Sequence, residues 1–381
     1  MGSRPEAVWP QRVDLMAKKR VEIPESPFPL PREVPVLVGH SGAEETMLAS
    51  WNSGRMAHAW LITGPRGIGK TTLAFRFARY VLAGGSSGPG MEMPAEDPVF
   101  RRVAMASHAD LLTLERAFDE KKGQRRSEIV VDDVRAMNHF VVLTPAESNW
   151  RVIVVDGAEE MNRNAANALL KHLEEPPPNT LFLLTSHAPA RLLPTVVSRC
   201  RQLALRPLAN AEVSGILRGS SVCGGISDDD LGMLVTLAEG SPGRGMALVE
   251  QGGIELYQTL LSLLSGLPDP DVEALHTFGD RLAKKDAVDA FRTVTELLLW
   301  WLARIIRTQA QQTGGGSSDA VELMPGGVDL GSRLVASRSL DQWVEVWENV
   351  RRLFASTEAI NLERKQVFLS AFTMLARAAR A

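Results

Sequence analysis

The chain has 381 residues, of which 45% are hydrophobic and 23% are charged, so it is long enough for two or three globular domains with ordinary cores. Its 42 basic and 45 acidic residues leave a net charge of −3, which argues against a grip on nucleic acid by the whole surface. The two cysteines, Cys200 and Cys223, are too few for a disulfide framework or a four-cysteine zinc site, and they fit a reducing cytoplasm.

The first 34 residues are expected to form an irregular arm. Several prolines and a charged run at residues 18–20 interrupt this arm. Its sequence therefore does not predict a signal peptide. Elsewhere, no apolar run of the sequence reaches the length of a membrane span.

Short apolar runs then alternate with helical patterns, which is typical of a parallel α/β sheet with flanking helices. The predicted strands lie at residues 59–63, 111–114, 151–155, 181–185 and 203–205, and the clearest helices at 70–82, 130–141 and 162–175. Strand signals end after residue 207. The sequence therefore predicts a nucleotide-binding α/β domain at 35–208, a small helical domain at 209–254, and an all-helical domain at 255–381 with a flexible loop at 313–318.

A glycine-rich segment with the pattern GxxxxGK[ST] joins the first strand to the following helix, at residues 64–71. Glycines let backbone N–H groups surround phosphate oxygens, and the helix N-terminus adds positive potential. We expect Lys70 to reach the outer phosphates of ATP and the Thr71 hydroxyl to ligate Mg²⁺. The residues predicted to hold the nucleotide are Gly64, Pro65, Gly67, Gly69, Lys70, Thr71 and Thr72.

The strand at 151–155 is followed by Asp156, an acid in the position that holds Mg²⁺ in P-loop ATPases, directly or through water. Many such enzymes have a glutamate directly after this aspartate, and it polarises the attacking water. This chain has Gly157 there, and Glu159 and Glu160 are too far along to point the same way. The sequence therefore predicts slow or absent ATP hydrolysis by this chain.

Two further segments resemble the bacterial clamp-loader family of AAA+ proteins. Residues 164–177 read NAANALLKHLEEPP, which is similar to the NALLKxLEEPP segment of that family, and residues 198–200 read Ser-Arg-Cys, as in its subunits. Together with the P-loop, these motifs stand in the order found in the family. The resemblance covers about residues 35–250 and extends to the C-terminal helices only by architecture.

The resemblance implies an AAA+ P-loop domain, a small helical lid and a C-terminal collar that holds subunits in a ring. It implies that Arg199 reaches the ATP of an adjacent subunit as an arginine finger, a role that suits the fixed fork of guanidinium donors. Thr185 or Ser186 would occupy the sensor 1 region, and Arg244 would occupy the sensor 2 position. For Thr185 and Ser186, an equal alternative is that the hydroxyl bonds only to the backbone. The implied partners are gamma/tau ATPase subunits, the delta subunit, the sliding clamp and primer–template DNA.

The chain departs from the family pattern in one region. Many clamp-loader subunits carry a four-cysteine zinc module between positions equivalent to residues 82 and 108, where this chain has no cysteine. No zinc is expected, and His108 is interpreted as a structural or surface histidine.

The favoured hypothesis is a clamp-loader subunit that acts on a neighbour's ATP. The main alternative is a self-sufficient AAA+ ATPase of the gamma/tau type, against which Gly157 argues. A small-molecule P-loop kinase is a third hypothesis, but it gives no purpose to the Ser-Arg-Cys motif or to the helical C-terminal half.

Overall fold

The computed structural model describes residues 27–85, 90–119, 124–313, 330–331, 333–334, 338–360 and 362–380. Most of the predicted N-terminal arm lies outside the described residues. So do residues 86–89, in a stretch rich in glycine and serine, and residues 314–318 of the predicted flexible loop. The described end of the arm contains one short 3-10 turn, Pro31–Glu33.

A five-stranded sheet with the strand order β2-β5-β6-β1-β7 forms the centre of the α/β domain, and a two-stranded hairpin, β3-β4, stands apart from it. The strands are β1 Ala59–Thr63, β2 Leu111–Leu114, β3 Phe118–Asp119, β4 Gln124–Arg125, β5 Arg151–Val155, β6 Thr180–Ser186 and β7 Arg201–Ala204. Strand β2 pairs in parallel with β5, where Leu111 is opposite Val152, and β5 pairs in parallel with β6, where Arg151 is opposite Thr180. Every residue of β5 and β6 is buried, as expected for a sheet covered by helices on both faces.

The helices of the α/β part are α1 Ser41–Asn52, α2 Lys70–Leu82, α3 Pro98–Ala104, α4 Val131–Val142, α5 Arg163–Glu174 and α6 Pro194–Val197. Helix α5 shows why the sequence folds this way. The side chain of Asn162 accepts the Ala165 N–H at 2.9 Å and so caps the first turn. Apolar residues at a spacing of four, including Leu169 and Leu173, are buried in the core of the sheet. Prolines at 176–178 prevent the helix from continuing.

After β7, the described residues contain helices and no further strand. They are α7 Asn210–Arg218, α8 Asp228–Ala238, α9 Pro242–Glu250, α10 Gly253–Ser265, α11 Val272–Ala283, α12 Val288–Thr313, α13 Leu340–Ile360 and α14 Arg364–Arg380. Helices α7, α8 and α9 pack together, and α10 to α14 form a bundle in which α12 contacts α10, α11 and α13. In the described part of the chain, no helix combines the length and the apolar character that crossing a membrane requires.

The chain divides into two compact units. The first is built from residues up to 35 together with 48–62 and 74–203, and it contains most of the sheet. The second is built from residues 36–47, 63–73 and 204–381, so the P-loop segment belongs to the same unit as helices α7 to α14. The parallel sheet with flanking helices, followed by helices alone, confirms the predicted fold class, whereas the domain boundaries at 208 and 254 stay predictions.

Candidate functional site

The glycine-rich loop between β1 and α2 has a backbone that only glycine adopts readily. Gly64, Gly67 and Gly69 have φ values of +142°, +72° and +102°. A Cβ atom on Gly64 would lie 2.6 Å from the carbonyl oxygen of Leu205, so a side chain has no room there. Helix α2 begins at Lys70, directly after the loop. This cradle at a helix N-terminus fits a bound nucleotide phosphate.

Lys70 is almost fully buried at the start of α2. Its ammonium group donates a hydrogen bond to the carbonyl oxygen of Pro65 at 2.5 Å, so the side chain folds back along the loop. Thr71 and Thr72 follow in the first turn of the helix. The lysine is therefore held beside the loop, and its contact with phosphates stays a prediction.

The outer side of the P-loop contacts the beginning of helix α9. The Ser241 hydroxyl donates to the carbonyl oxygen of Arg66 at 2.7 Å, and the Gly243 N–H donates to the carbonyl oxygen of Gly67 at 2.9 Å. A Cβ atom on Gly243 would lie 2.8 Å from the Cα atom of Gly67, so this close approach requires glycine. The short helices after the sheet thus brace the P-loop directly.

A second brace comes from residues 36–40, which carry no recognisable sequence motif. The His40 ring nitrogen Nε2 lies 2.7 Å from the carbonyl oxygen of Ile68. A Cβ atom on Gly69 would lie 3.2 Å from a methyl group of Leu37. Val36 and Val38 are apolar yet 64% and 36% exposed. The sequence signal for this segment is weak, since it consists of a few valines before Gly39 and His40.

Arg244, the predicted sensor 2 arginine, lies in the first turn of α9 beside the P-loop brace. Its guanidinium forms an ion pair with Glu239 at 3.2 Å, and the same carboxylate lies 3.5 Å from the guanidinium of Arg307 on α12. Glu239 ends helix α8 in the left-handed conformation, at φ +48°. A contact between Arg244 and nucleotide stays a prediction.

In the first unit, Asp156 follows β5 and is held by β6. The Thr185 hydroxyl donates to Asp156 Oδ1 at 2.7 Å and accepts the Gly157 N–H at 3.0 Å. Thr185 is buried, and its single hydroxyl proton is used on the aspartate. Thr185 therefore orients this acid, while Ser186 beside it is also buried. Coordination of Mg²⁺ by Thr71 and Asp156 together stays a prediction.

The acids that follow Gly157 are engaged elsewhere. Glu159 is buried, accepts the His187 N–H at 3.0 Å and forms an ion pair with the His187 ring. Burial alone would raise the pKa of the Glu159 carboxyl, but hydrogen bonds and the His187 charge outweigh it and hold that pKa below its ordinary value. Glu160 forms an ion pair with Arg116 at 2.7 Å. Both carboxylates are therefore already paired with cationic side chains, although Glu160 Oε2 lies close to Gly157, 2.8 Å from where its Cβ atom would be.

Arg199 stands at the surface just beyond helix α6. One amino group of its guanidinium lies 2.6 Å from Glu174 Oε1, and the other donates to the carbonyl oxygen of Thr195 at 3.0 Å. Its side chain is 34% exposed. Cys200 beside it is buried in the core of the sheet, and this burial raises the pKa of its thiol to about 12. The Ser-Arg-Cys motif is thus anchored by its cysteine, and the arginine remains at the surface.

Among the residues that the structure describes, no group of three or more histidine, cysteine, aspartate or glutamate side chains is arranged to hold a metal ion. His108 is buried, and its Nδ1 atom accepts the Asp110 N–H at 3.1 Å. Burial lowers the pKa of its imidazole below the ordinary value. Its position agrees with the interpretation of His108 as a structural histidine.

The parallel strand order, the P-loop sequence after β1 and the acid after β5 define the class of this part of the chain as an α/β domain of the P-loop type. Comparison with known proteins narrows that class. Residues 39–209 match the family model described as DNA polymerase III, delta subunit.

Three relatives agree with that match. The chain is 44% identical over 158 residues to the DNA polymerase III subunit delta' of Pseudomonas aeruginosa, an alignment that covers 42% of this chain and 45% of that protein. It is 34% identical to the delta' subunit of Bacillus subtilis, over 40% of this chain and 44% of that protein. It is 29% identical to the gamma/tau subunit of Mycobacterium bovis, over 69% of this chain and 45% of that protein.

This chain is therefore similar to the delta-prime and gamma/tau subunits of bacterial DNA polymerase III. The identity is higher to the delta-prime subunits than to the gamma/tau subunit. The chain spans less than half the length of each of these three relatives.

Proposed function

We propose that this chain is a delta-prime-type subunit of a bacterial DNA polymerase III clamp loader, which helps to place the sliding clamp on primed DNA. In this role the chain contributes an arginine finger to an ATP site on a neighbouring subunit and hydrolyses little or no ATP itself. The family match and the higher identity to delta-prime subunits support this function over that of a small-molecule kinase.

The observation that carries the proposal is the contrast between two positions. Arg199 lies at the surface, with its side chain 34% exposed, on a motif anchored by the buried Cys200. Gly157, by contrast, provides no side chain directly after Asp156, and Glu159 and Glu160 form ion pairs with His187 and Arg116. The chain is therefore equipped to act on a neighbour's nucleotide and poorly equipped to cleave its own.

The partners follow from this role. The subunit that binds the ATP contacted by Arg199 is a gamma/tau ATPase, and the delta subunit, the sliding clamp and primer–template DNA complete the assembly. The bundle of α10 to α14 serves as the collar that joins subunits. A guanidinium suits the interface because it donates several hydrogen bonds in a fixed geometry to a phosphate.

The chain's own P-loop retains the residues needed to hold a nucleotide. The loop backbone and Lys70 would bind the phosphates, and Thr71 with Asp156 would hold Mg²⁺. When bound, ATP would supply negatively charged phosphates, which the N–H groups of the P-loop and Lys70 would stabilise. Thr185 would keep the Asp156 carboxylate in one orientation through their hydrogen bond.

The proposal is tested by steady-state ATPase measurements on the full chain, first alone and then with the gamma/tau ATPase, the clamp and primed DNA. We expect no turnover alone, stimulation in the mixture, and loss of that stimulation with Arg199→Ala, because a finger is worth roughly 10³ to 10⁵ in rate at its own site. Arg199→Lys keeps the charge but not the fork, and should rescue little. Arg191→Ala, at another exposed arginine of the same region, is the matched control.

A gamma/tau-like motor is the second candidate, favoured by the intact P-loop and by the longer alignment with the gamma/tau subunit. The same assay separates the two. Rapid turnover by the isolated chain, abolished by Lys70→Ala and indifferent to Arg199→Ala, would assign the motor function and reject the delta-prime type.

A further inference from the structure

Arg199 is already engaged within its own subunit. Its two amino groups contact Glu174 at 2.6 Å and the Thr195 carbonyl oxygen at 3.0 Å, and one of them also lies 3.5 Å from the Ser198 hydroxyl. A guanidinium has five N–H donors, so these contacts use part of its capacity and fix its direction. An arginine that is to bind a phosphate on another subunit must leave the Glu174 carboxylate or share its donors with it.

The position of Glu174 indicates that its carboxylate stabilises the ion pair with Arg199 and does not stabilise helix α5. Glu174 is the last residue of α5, and Glu175 follows it before the prolines at 176–178. The C-terminal end of a helix carries partial negative charge, so acids there are unfavourable unless a cation compensates them. Arg199 supplies that compensation from just beyond helix α6, and α6 packs against α5.

We propose that Glu174 holds Arg199 in reserve in the free subunit and releases it to a more highly charged anion, the terminal phosphate of a nucleoside triphosphate on a neighbouring subunit. This proposal rests on the function proposed above and concerns the regulation of the same arginine. Both side chains are partly exposed, at 34% and 49%, so water and salt screen the ion pair and it breaks readily.

The exchange depends on the charge of the incoming group. A terminal phosphate carries more negative charge than one carboxylate and accepts two parallel hydrogen bonds from a guanidinium. It therefore competes well for Arg199, whereas an anion of lower charge competes less well with the carboxylate already in place. Glu174 thus makes engagement of Arg199 depend on a terminal phosphate within its reach on the neighbouring subunit.

The ion pair is tested on the isolated full chain. Phenylglyoxal modifies accessible guanidinium groups, and mass spectrometry of the peptide that contains Arg199 gives its rate of modification. Glu174→Gln should raise this rate by up to about fivefold, the factor that an exposed ion pair is worth. Glu175→Gln removes the neighbouring carboxylate and should leave the rate unchanged. Equal rates for wild type and Glu174→Gln, or an equal rise in Glu175→Gln, would overturn the proposal.

The release is tested with the ATPase partner, clamp and primed DNA. Glu174→Gln should lower the concentration of this chain needed for half-maximal stimulation by a similar factor and leave the maximal rate unchanged. A fall in the maximal rate would mean that Glu174 orients Arg199 for the reaction, and would refute the reserve role. If the wild-type chain stimulates nothing, the proposed function fails and the release role fails with it, while the modification rates still show whether the ion pair forms.

Discussion

The contact between helix α9 and the P-loop leads to a quantitative prediction for Gly243→Ala. The new Cβ atom would lie 2.8 Å from Gly67 Cα and 3.1 Å from the Gly67 carbonyl oxygen, and neither backbone atom can move like a side chain. Relief of the clash requires the helix and the loop to separate. Separation weakens the hydrogen bonds from Gly243 to Gly67 and from Ser241 to Arg66, which are worth about 0.5–1.5 kcal/mol each.

The opposing effect is the higher helix propensity of alanine, worth at most about 1 kcal/mol. Overpacking of this kind typically costs about 1–3 kcal/mol. We therefore expect Gly243→Ala to lower the free energy of unfolding by about 1–3 kcal/mol, measured by urea unfolding of the full chain. Affinity for a fluorescent ATP analogue should fall as well, because the displaced loop is the one that would hold the phosphates.

Two glycines in neighbouring helices provide matched controls. A Cβ atom on Gly215 in α7 or on Gly232 in α8 would meet nothing within 4 Å. Alanine at either position should raise the free energy of unfolding by roughly 0.4–1 kcal/mol, since it restricts the unfolded chain without a clash. The reasoning is refuted if Gly243→Ala stabilises the chain as these two substitutions do and leaves nucleotide affinity unchanged.

Two further predictions concern the first unit. Thr185→Val should lower the free energy of unfolding by about 1–3 kcal/mol, because Asp156 and the Gly157 N–H lose their shared partner, while Thr185→Ser should not; equal urea midpoints for both variants would contradict this role. The pKa of Glu159 is held below its ordinary value of 4.5 in the folded chain, so its carboxylate stabilises the fold above that pH, and this contribution is lost as the pH falls through the folded pKa. Glu159→Gln should therefore flatten the acid side of the stability–pH curve, measured by urea unfolding between pH 3 and 7, and an unchanged slope would show that the paired carboxylate contributes nothing.

Much of the sheet could be predicted from the sequence, because its central strands are buried on both faces. Continuous apolar runs predict the central strands β1 and β5 with the bounds that the structure has, and they also predict β2, an edge strand with mostly apolar residues. Strand β6 is one residue longer at each end than predicted, since its polar ends, Thr180 and Ser186, are buried with the rest.

The last strand shows the limit of that signal. Residues 203–205 are predicted, whereas β7 runs over Arg201–Ala204. An edge strand has a partner on one side only, and here most of its side chains are exposed, so polar residues are tolerated and the apolar pattern is lost. The guanidinium of Arg201 lies over the Trp60 ring, with its carbon 4.6 Å from the ring centroid, a contact between residues far apart in sequence.

In the candidate site, too, some features could be predicted from the sequence and others could not. Motif spacing predicted the P-loop, Asp156 and Arg199, because each has a local signature beside a strand or helix end. The contacts that hold them are between distant residues, such as Ser241 with Arg66 or Thr185 with Asp156. Either Thr185 or Ser186 could face Asp156, and the register between β5 and β6 decides which one does. A single sequence leaves that choice open.

Glu239 occupies a backbone conformation that glycine would adopt with less strain, and non-glycine residues in that region cost about 1 kcal/mol or more. Its carboxylate offsets part of this strain by forming ion pairs with Arg244 of α9 and with Arg307 of the long helix α12. Because these ion pairs are partly exposed, their strength falls with ionic strength, whereas the hydrogen bonds between α9 and the P-loop involve uncharged groups. Salt therefore weakens the charged link from the short helices to α12 and leaves both the packing of α9 on α10 and the brace on the P-loop largely in place.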